Sequence, residues 1–130
     1  MQSHAEFRVQ LMRSGPQPNA LYFIGDRKIS LLHARIRMKC SALNAHLADN
    51  HVLDSPCCSC GHPREDEIHY FFVCNLYNHA RAILHQTVIE YAPFNIHTLL
   101  YGHRNVLFDV NSVIFEAVHT YIRETGRFDT

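Results

Sequence analysis

A chain of 130 residues is long enough for one small domain or a piece of something larger, and its 47% apolar content allows a modest core. Twelve basic residues balance twelve acidic ones, which excludes a chain-wide electrostatic grip on nucleic acid and leaves room only for a local patch. No apolar run approaches membrane-spanning length, and Met1-Gln-Ser-His-Ala-Glu6 has no apolar signal region, so a reducing intracellular setting, cytoplasm or nucleus, is expected.

Residues 1–20 read as a poorly ordered lead-in, because Ser14-Gly-Pro-Gln-Pro-Asn19 is a breaker cluster that no helix crosses. The folded domain is therefore expected over 21–130. Leu21-Tyr-Phe-Ile24 is an edge strand or a packing segment; its length does not decide between them. Asp26 is placed to cap a helix from Lys28 to about Ala48, in which Ile29, Leu32, Ile36, Cys40, Leu43 and Leu47 fall on one stripe about 80° wide. Lys28, Arg35 and Lys39 line one flank of that stripe and Arg37 the other. The pattern suits a solvated helix face. Its functional reading is contact with nucleic-acid phosphates, where each cation displaces a counterion without reading bases.

Four of the five cysteines follow within 18 residues: Cys57, Cys58, Cys60 and Cys74, with His69 between the last two. Three sulfurs and one imidazole nitrogen form a closed tetrahedral set for Zn²⁺, two ligands from one turn and two from a later element. Spacing alone favours Cys57 with Cys60, since a two-residue gap is the commoner short spacing. Gly61 can turn the chain there with positive φ. The odd cysteine count argues against a disulfide framework, and a closed ligand set leaves no position for an activated water. Glu65 or Glu67 would be the general base if the site were hydrolytic. In a chain this small a zinc matters to folding, contributing about 10–16 kcal/mol in finger-sized peptides.

Asp66 or Glu65 can cap a short helical segment bearing His69. His69 and Cys74 lie about 140° apart on a regular helix, so the segment is expected to end or tighten before Cys74. Tyr70, Phe71 and Phe72 are expected to pack inward. Asn75 is placed to cap a helix from Leu76 to Tyr91, closed by Pro93; Ile96 and Leu99-Leu-Tyr101 form a connection ended by Gly102. A last helix opens at Asp109 or Val110 and runs to about Glu124, with Gly126 as its stop. The expected fold is mainly α: a small helical domain of about three main helices around a Cys3His zinc knuckle.

Several of these segments together resemble a known arrangement. They are Arg27-Lys-Ile29, His33-Ala-Arg-Ile-Arg37, Cys40-Ser-Ala-Leu-Asn44, Asp54-Ser-Pro56 leading into Cys58-Ser-Cys-Gly61, and His69-Tyr-Phe-Phe-x-Cys74 with Tyr77. Leu99-Leu-Tyr-Gly102 and Ile114-Phe-Glu-Ala-Val118 extend the likeness. Over residues 21–128 the chain is similar to the C-terminal region of non-LTR (LINE-type) retrotransposon reverse transcriptases. The resemblance implies Cys58 rather than Cys57 as first ligand, with Cys60, His69 and Cys74. It also implies an accessory role in holding RNA template or target DNA beside the polymerase domain of a parent polyprotein. The chain has no adjacent aspartates, so that family's polymerase activity does not carry over. A zinc-held protein-interaction module, or a truncated remnant without activity of its own, is the alternative.

Overall fold

A computed structural model describes residues 18–129. The expected lead-in lies outside these residues except at its end, where a 3-10 helix, Pro18–Phe23, stands in place of the strand considered for Leu21-Tyr-Phe-Ile24. Among the described residues there is no strand, and about 60% are helical. The protein is a small mainly-α domain. Among the described residues no helix is long and apolar enough to cross a membrane.

Helix α1, Arg27–Arg37, starts where the sequence places it: the Asp26 carboxylate accepts the backbone N–H of Lys28 at 2.7 Å and of Ile29 at 3.2 Å. It does not continue to Ala48. Lys39 takes left-handed backbone angles (φ 60°), the Cys40 N–H returns to the Arg35 carbonyl at 2.9 Å, and the Lys39 N–H reaches the Ile36 carbonyl at 3.1 Å. This is a Schellman ending, for which glycine is the usual signal and lysine gives none. The apolar stripe breaks with it, leaving Cys40 exposed. A separate helix α2, Asn44–Asp49, follows.

Helix α3 spans Asn78–Val88, preceded by a 3-10 turn Asn75–Tyr77 rather than by an Asn75 cap. The expected connection holds a further short helix, α4, Ile96–Tyr101, where Asn95 accepts the Thr98 N–H at 2.9 Å and Gly102 stops the chain with φ 82°. Helix α5, Phe108–Thr125, ends at Gly126, whose φ is 62°. It is the centre of the domain, with α3 on one side and α1 and α4 on another. Being covered on two sides, α5 buries Phe115, His119 and Ile122 as well as Ile114, Val118 and Tyr121. Ile36, Leu84, Val88 and Leu99 complete the core from the other helices.

Candidate metal centre

Residues 50–68 have no α-helix of their own beyond a single turn, so the loop carrying Cys58 and Cys60 must be held from outside. Two buried glutamates hold it. Glu65, 2% exposed, accepts Arg127 through Nε and Nη2, both at 2.7 Å, and the Asn44 N–H at 2.7 Å. The Ala45 N–H takes the Glu65 carbonyl at 3.0 Å, so this one residue caps α2 and tethers the C-terminal segment. Burial alone would raise the Glu65 pKa, but the Arg127 guanidinium and the Asn44 amide outweigh it and hold the carboxyl below its ordinary value. Glu67 accepts His46 Nε2 at 2.8 Å and Lys39 Nζ at 2.9 Å, and the same balance lowers its pKa. Both carboxylates are committed to structure, so neither is free to act as the general base considered from sequence.

The second half of the motif is set by an unusual turn. Asp66 accepts the His69 N–H at 2.9 Å, as expected of a cap. From there the chain does not tighten. It widens into a π-turn, His69–Val73, closed by the Cys74 N–H on the His69 carbonyl at 2.8 Å. A hydrogen bond spanning five residues inserts one extra residue into the turn, which brings positions five apart to one face. His69 and Cys74 are thereby aligned. Arg81 of α3 clamps the turn's middle and its exit, donating to the carbonyls of Phe71 at 2.9 Å and Cys74 at 2.7 Å. Tyr70 and Phe71 are fully buried, as expected, and the Tyr70 ring meets Tyr77, Tyr121 and Phe128 edge-on.

These supports bring Cys58, Cys60, His69 and Cys74 together, with all four ligand atoms within 4.8 Å of one another. Cys58 Sγ lies 3.8 Å from Cys74 Sγ, and Cys60 Sγ 3.3 Å from His69 Nε2. A tetrahedron with metal–sulfur bonds of about 2.3 Å has S···S edges of about 3.8 Å and slightly shorter S···N edges. The residues fit a metal ion. The backbone N–H groups of Cys60, His62 and Leu76 face the sulfurs of Cys58, Cys60 and Cys74 in turn, each from two residues on, and each favours its thiolate. Burial opposes them: it pushes the Cys58 thiol up to about 12 and raises Cys74, whereas Cys60 is lowered by the His62 amide. A cation would supply the charge that burial withholds. His69 turns Nε2 to the cluster, its Nδ1 is buried with no hydrogen-bond partner among the described residues, and its ring stacks on His62 at 4.2 Å.

Cys57, the ligand that spacing favoured, is exposed and outside the group. Gly61 does take positive φ, 101°, and its N–H closes the turn on the Cys58 carbonyl at 2.9 Å. The basic residues divide. Lys28 and Arg35 are exposed on α1, and Lys39 stands 68% exposed beyond its end while paired with Glu67. Arg37 is a correction to the sequence reading: it is turned inward, its Nε donating to the Leu100 carbonyl at 2.6 Å and its guanidinium lying 4.0 Å over the Tyr22 ring. The sequence reading gave Arg127 no role at the site, because its acid partner, Glu65, lies 62 positions away. The chain matches no family model, and no curated protein or solved structure shows significant similarity to it.

Proposed function

We propose that the chain is a zinc-stabilised, non-catalytic nucleic-acid-binding module, with Cys58, Cys60, His69 and Cys74 holding Zn²⁺ and exposed cations of α1 meeting the phosphate backbone of RNA or DNA. The observation that carries the zinc is the spacing of the four ligand atoms; a three-sulfur, one-nitrogen donor set is characteristic of structural zinc rather than of magnesium or calcium. When bound, the ion supplies cross-linking charge and no reaction, since four protein ligands fill its sphere. Lys28 and Arg35 fall on one stripe of α1, and Lys39 follows in the turn after it. That arrangement, and the likeness to the C-terminal region of LINE-type reverse transcriptases, supports an accessory role beside a polymerase domain.

Binding of the zinc-loaded chain to a labelled single-stranded RNA and to duplex DNA, followed by fluorescence anisotropy, tests this reading. Three phosphate contacts give log K against log salt a slope between about −2 and −3. Substituting Lys28→Ala should flatten that slope by about one. Binding that ignores salt, or no binding at low salt, would count against it. A second reading, a protein-interaction module, is favoured by one observation: Phe23 and Met38 are 74% and 70% exposed on the same flank of the domain as Leu31.

A further inference from the structure

Helices α3 and α5 leave an open groove of about 360 Å³ on the surface. Its floor is Leu84 and Tyr121, and Ile83 and Val113 stand exposed at 48% and 39% along it. Ala80 and Ala117 line it too, and their short side chains leave the trough. Glu116 and Glu124 border it from α5. They are eight residues apart, which places them about 12 Å from each other along the helix. Among the described residues neither glutamate has an ion-pair partner.

The opposite character is found on the outer surface of α1. Arg27, Leu31, Ala34, Arg35 and Met38 lie within a stripe about 100° wide at regular helical spacing. Leu31 is 45% exposed and Met38 70%, so the stripe is an apolar ridge flanked by two cations. Arg27 and Arg35 are also eight residues apart, and neither has an ion-pair partner among the described residues. The two separations are equal. A helix laid in the α3–α5 groove antiparallel to α5, with Arg35 level with Glu116 and Arg27 level with Glu124, would therefore set one arginine beside each glutamate, and Met38, three residues past Arg35, would reach Val113, three residues before Glu116. Packed helices stand about 8–10 Å apart, close enough for such pairs.

We propose that the chain associates with itself, the α1 ridge of one copy seating in the α3–α5 groove of another. The groove belongs to a recurring mode in which an amphipathic helix lays its apolar face into a trough, with rim charges setting the partner. Ridge and groove are different patches, so the contact is heterologous, or doubled if two copies exchange ridges. Arg35 also belongs to the stripe proposed for phosphate contact, so at α1 the two partners exclude each other. The two proposals fail separately, because Lys28→Ala weakens nucleic-acid binding while leaving the ridge intact.

Sedimentation equilibrium of the zinc-loaded full chain at low salt, up to about 100 µM, tests the contact. The wild type should show an average mass that rises with concentration. The variant E116K/E124K and the variant R27E/R35E should each self-associate at least roughly tenfold more weakly, as like charges replace the pairs. Mixed in equal amounts, the two variants should associate again, because each ridge then meets a groove of opposite sign. L31N should weaken association without altering any ion pair, and circular dichroism of each variant should match the wild type. A wild type that stays monomeric throughout would overturn the proposal. So would association that survives both charge swaps, or swapped variants that fail to associate when mixed.

Discussion

Glu65 keeps its charge at 2% exposure because Arg127 and the Asn44 amide face it, and the loop with Cys58 and Cys60 hangs from that carboxylate. Removing one partner of a buried pair leaves the other charge uncompensated, which costs about 3–5 kcal/mol. Arg127→Ala should therefore destabilise the zinc-loaded protein by about 3 kcal/mol in urea unfolding, and adding Glu65→Gln should cost less than the sum of the two single changes. At the neighbouring cysteines the expected outcomes diverge. Cys57→Ser, at an exposed site outside the cluster, should leave zinc content intact and stability within about 0.5 kcal/mol. Cys58→Ser should abolish stoichiometric zinc, measured by metal analysis of the purified protein. Residue types and order were enough to gather three of the four ligands from sequence. They were not enough to choose between Cys57 and Cys58, because that choice depends on which way the loop is turned by Glu65 and by the Asn44 side chain on the Cys57 carbonyl.

Between elements, the joint of α1, α4 and α5 is made by a histidine pair. His33 Nε2 lies 2.7 Å from the Leu99 carbonyl and its Nδ1 3.1 Å from His119 Nε2. The carbonyl can only accept, so His33 carries its proton on Nε2 and accepts from His119. A second proton would set donor against donor. Burial, then the positive charges of Arg37 and His119, lowers the His33 pKa, against a smaller opposing effect of its bond to Leu99; burial, then Arg123 and Arg37, brings His119 down to about 4, with Asp26 opposing. Both folded pKa values lie below the unfolded value near 6.5, so the unfolded chain binds more protons between them. The stabilisation is complete above about pH 6.5 and is lost as pH falls toward 4, with a slope of at most about 1.4 kcal/mol per pH unit for each histidine titrating on unfolding. Urea midpoints across that range should show the fall, and His119→Gln should flatten it. Neither histidine could be assigned from sequence, since their pairing spans 86 positions. Boundaries were legible where local chemistry marks them, at Asp26 and at Gly126. The break after α1 was not, because a lysine occupies the left-handed position and its compensation, the Glu67 carboxylate, comes from 28 residues away. The π-turn escaped notice for a related reason: a tighter turn would leave His69 and Cys74 about 120° apart, and Arg81, which clamps the wider turn that does align them, belongs to the next helix.

As a whole, the molecule is a three-helix core with an irregular arm fastened to it by two buried glutamates and one four-ligand cluster. Removing the ion should leave the hydrophobic packing of α3 and α5 in place while the arm loses its fastening. A chelator should lower the circular dichroism of the native protein and the thermal midpoint together, and added zinc should restore both. The arm also caps α2, so loss of metal should spread to that helix before it reaches α5. Zinc K-edge X-ray absorption of the purified chain tests the central claim most directly. The account predicts three sulfur neighbours at about 2.3 Å and one nitrogen at about 2.0 Å. A shell containing oxygen or four sulfurs, or a folded protein that takes up no zinc, would contradict it.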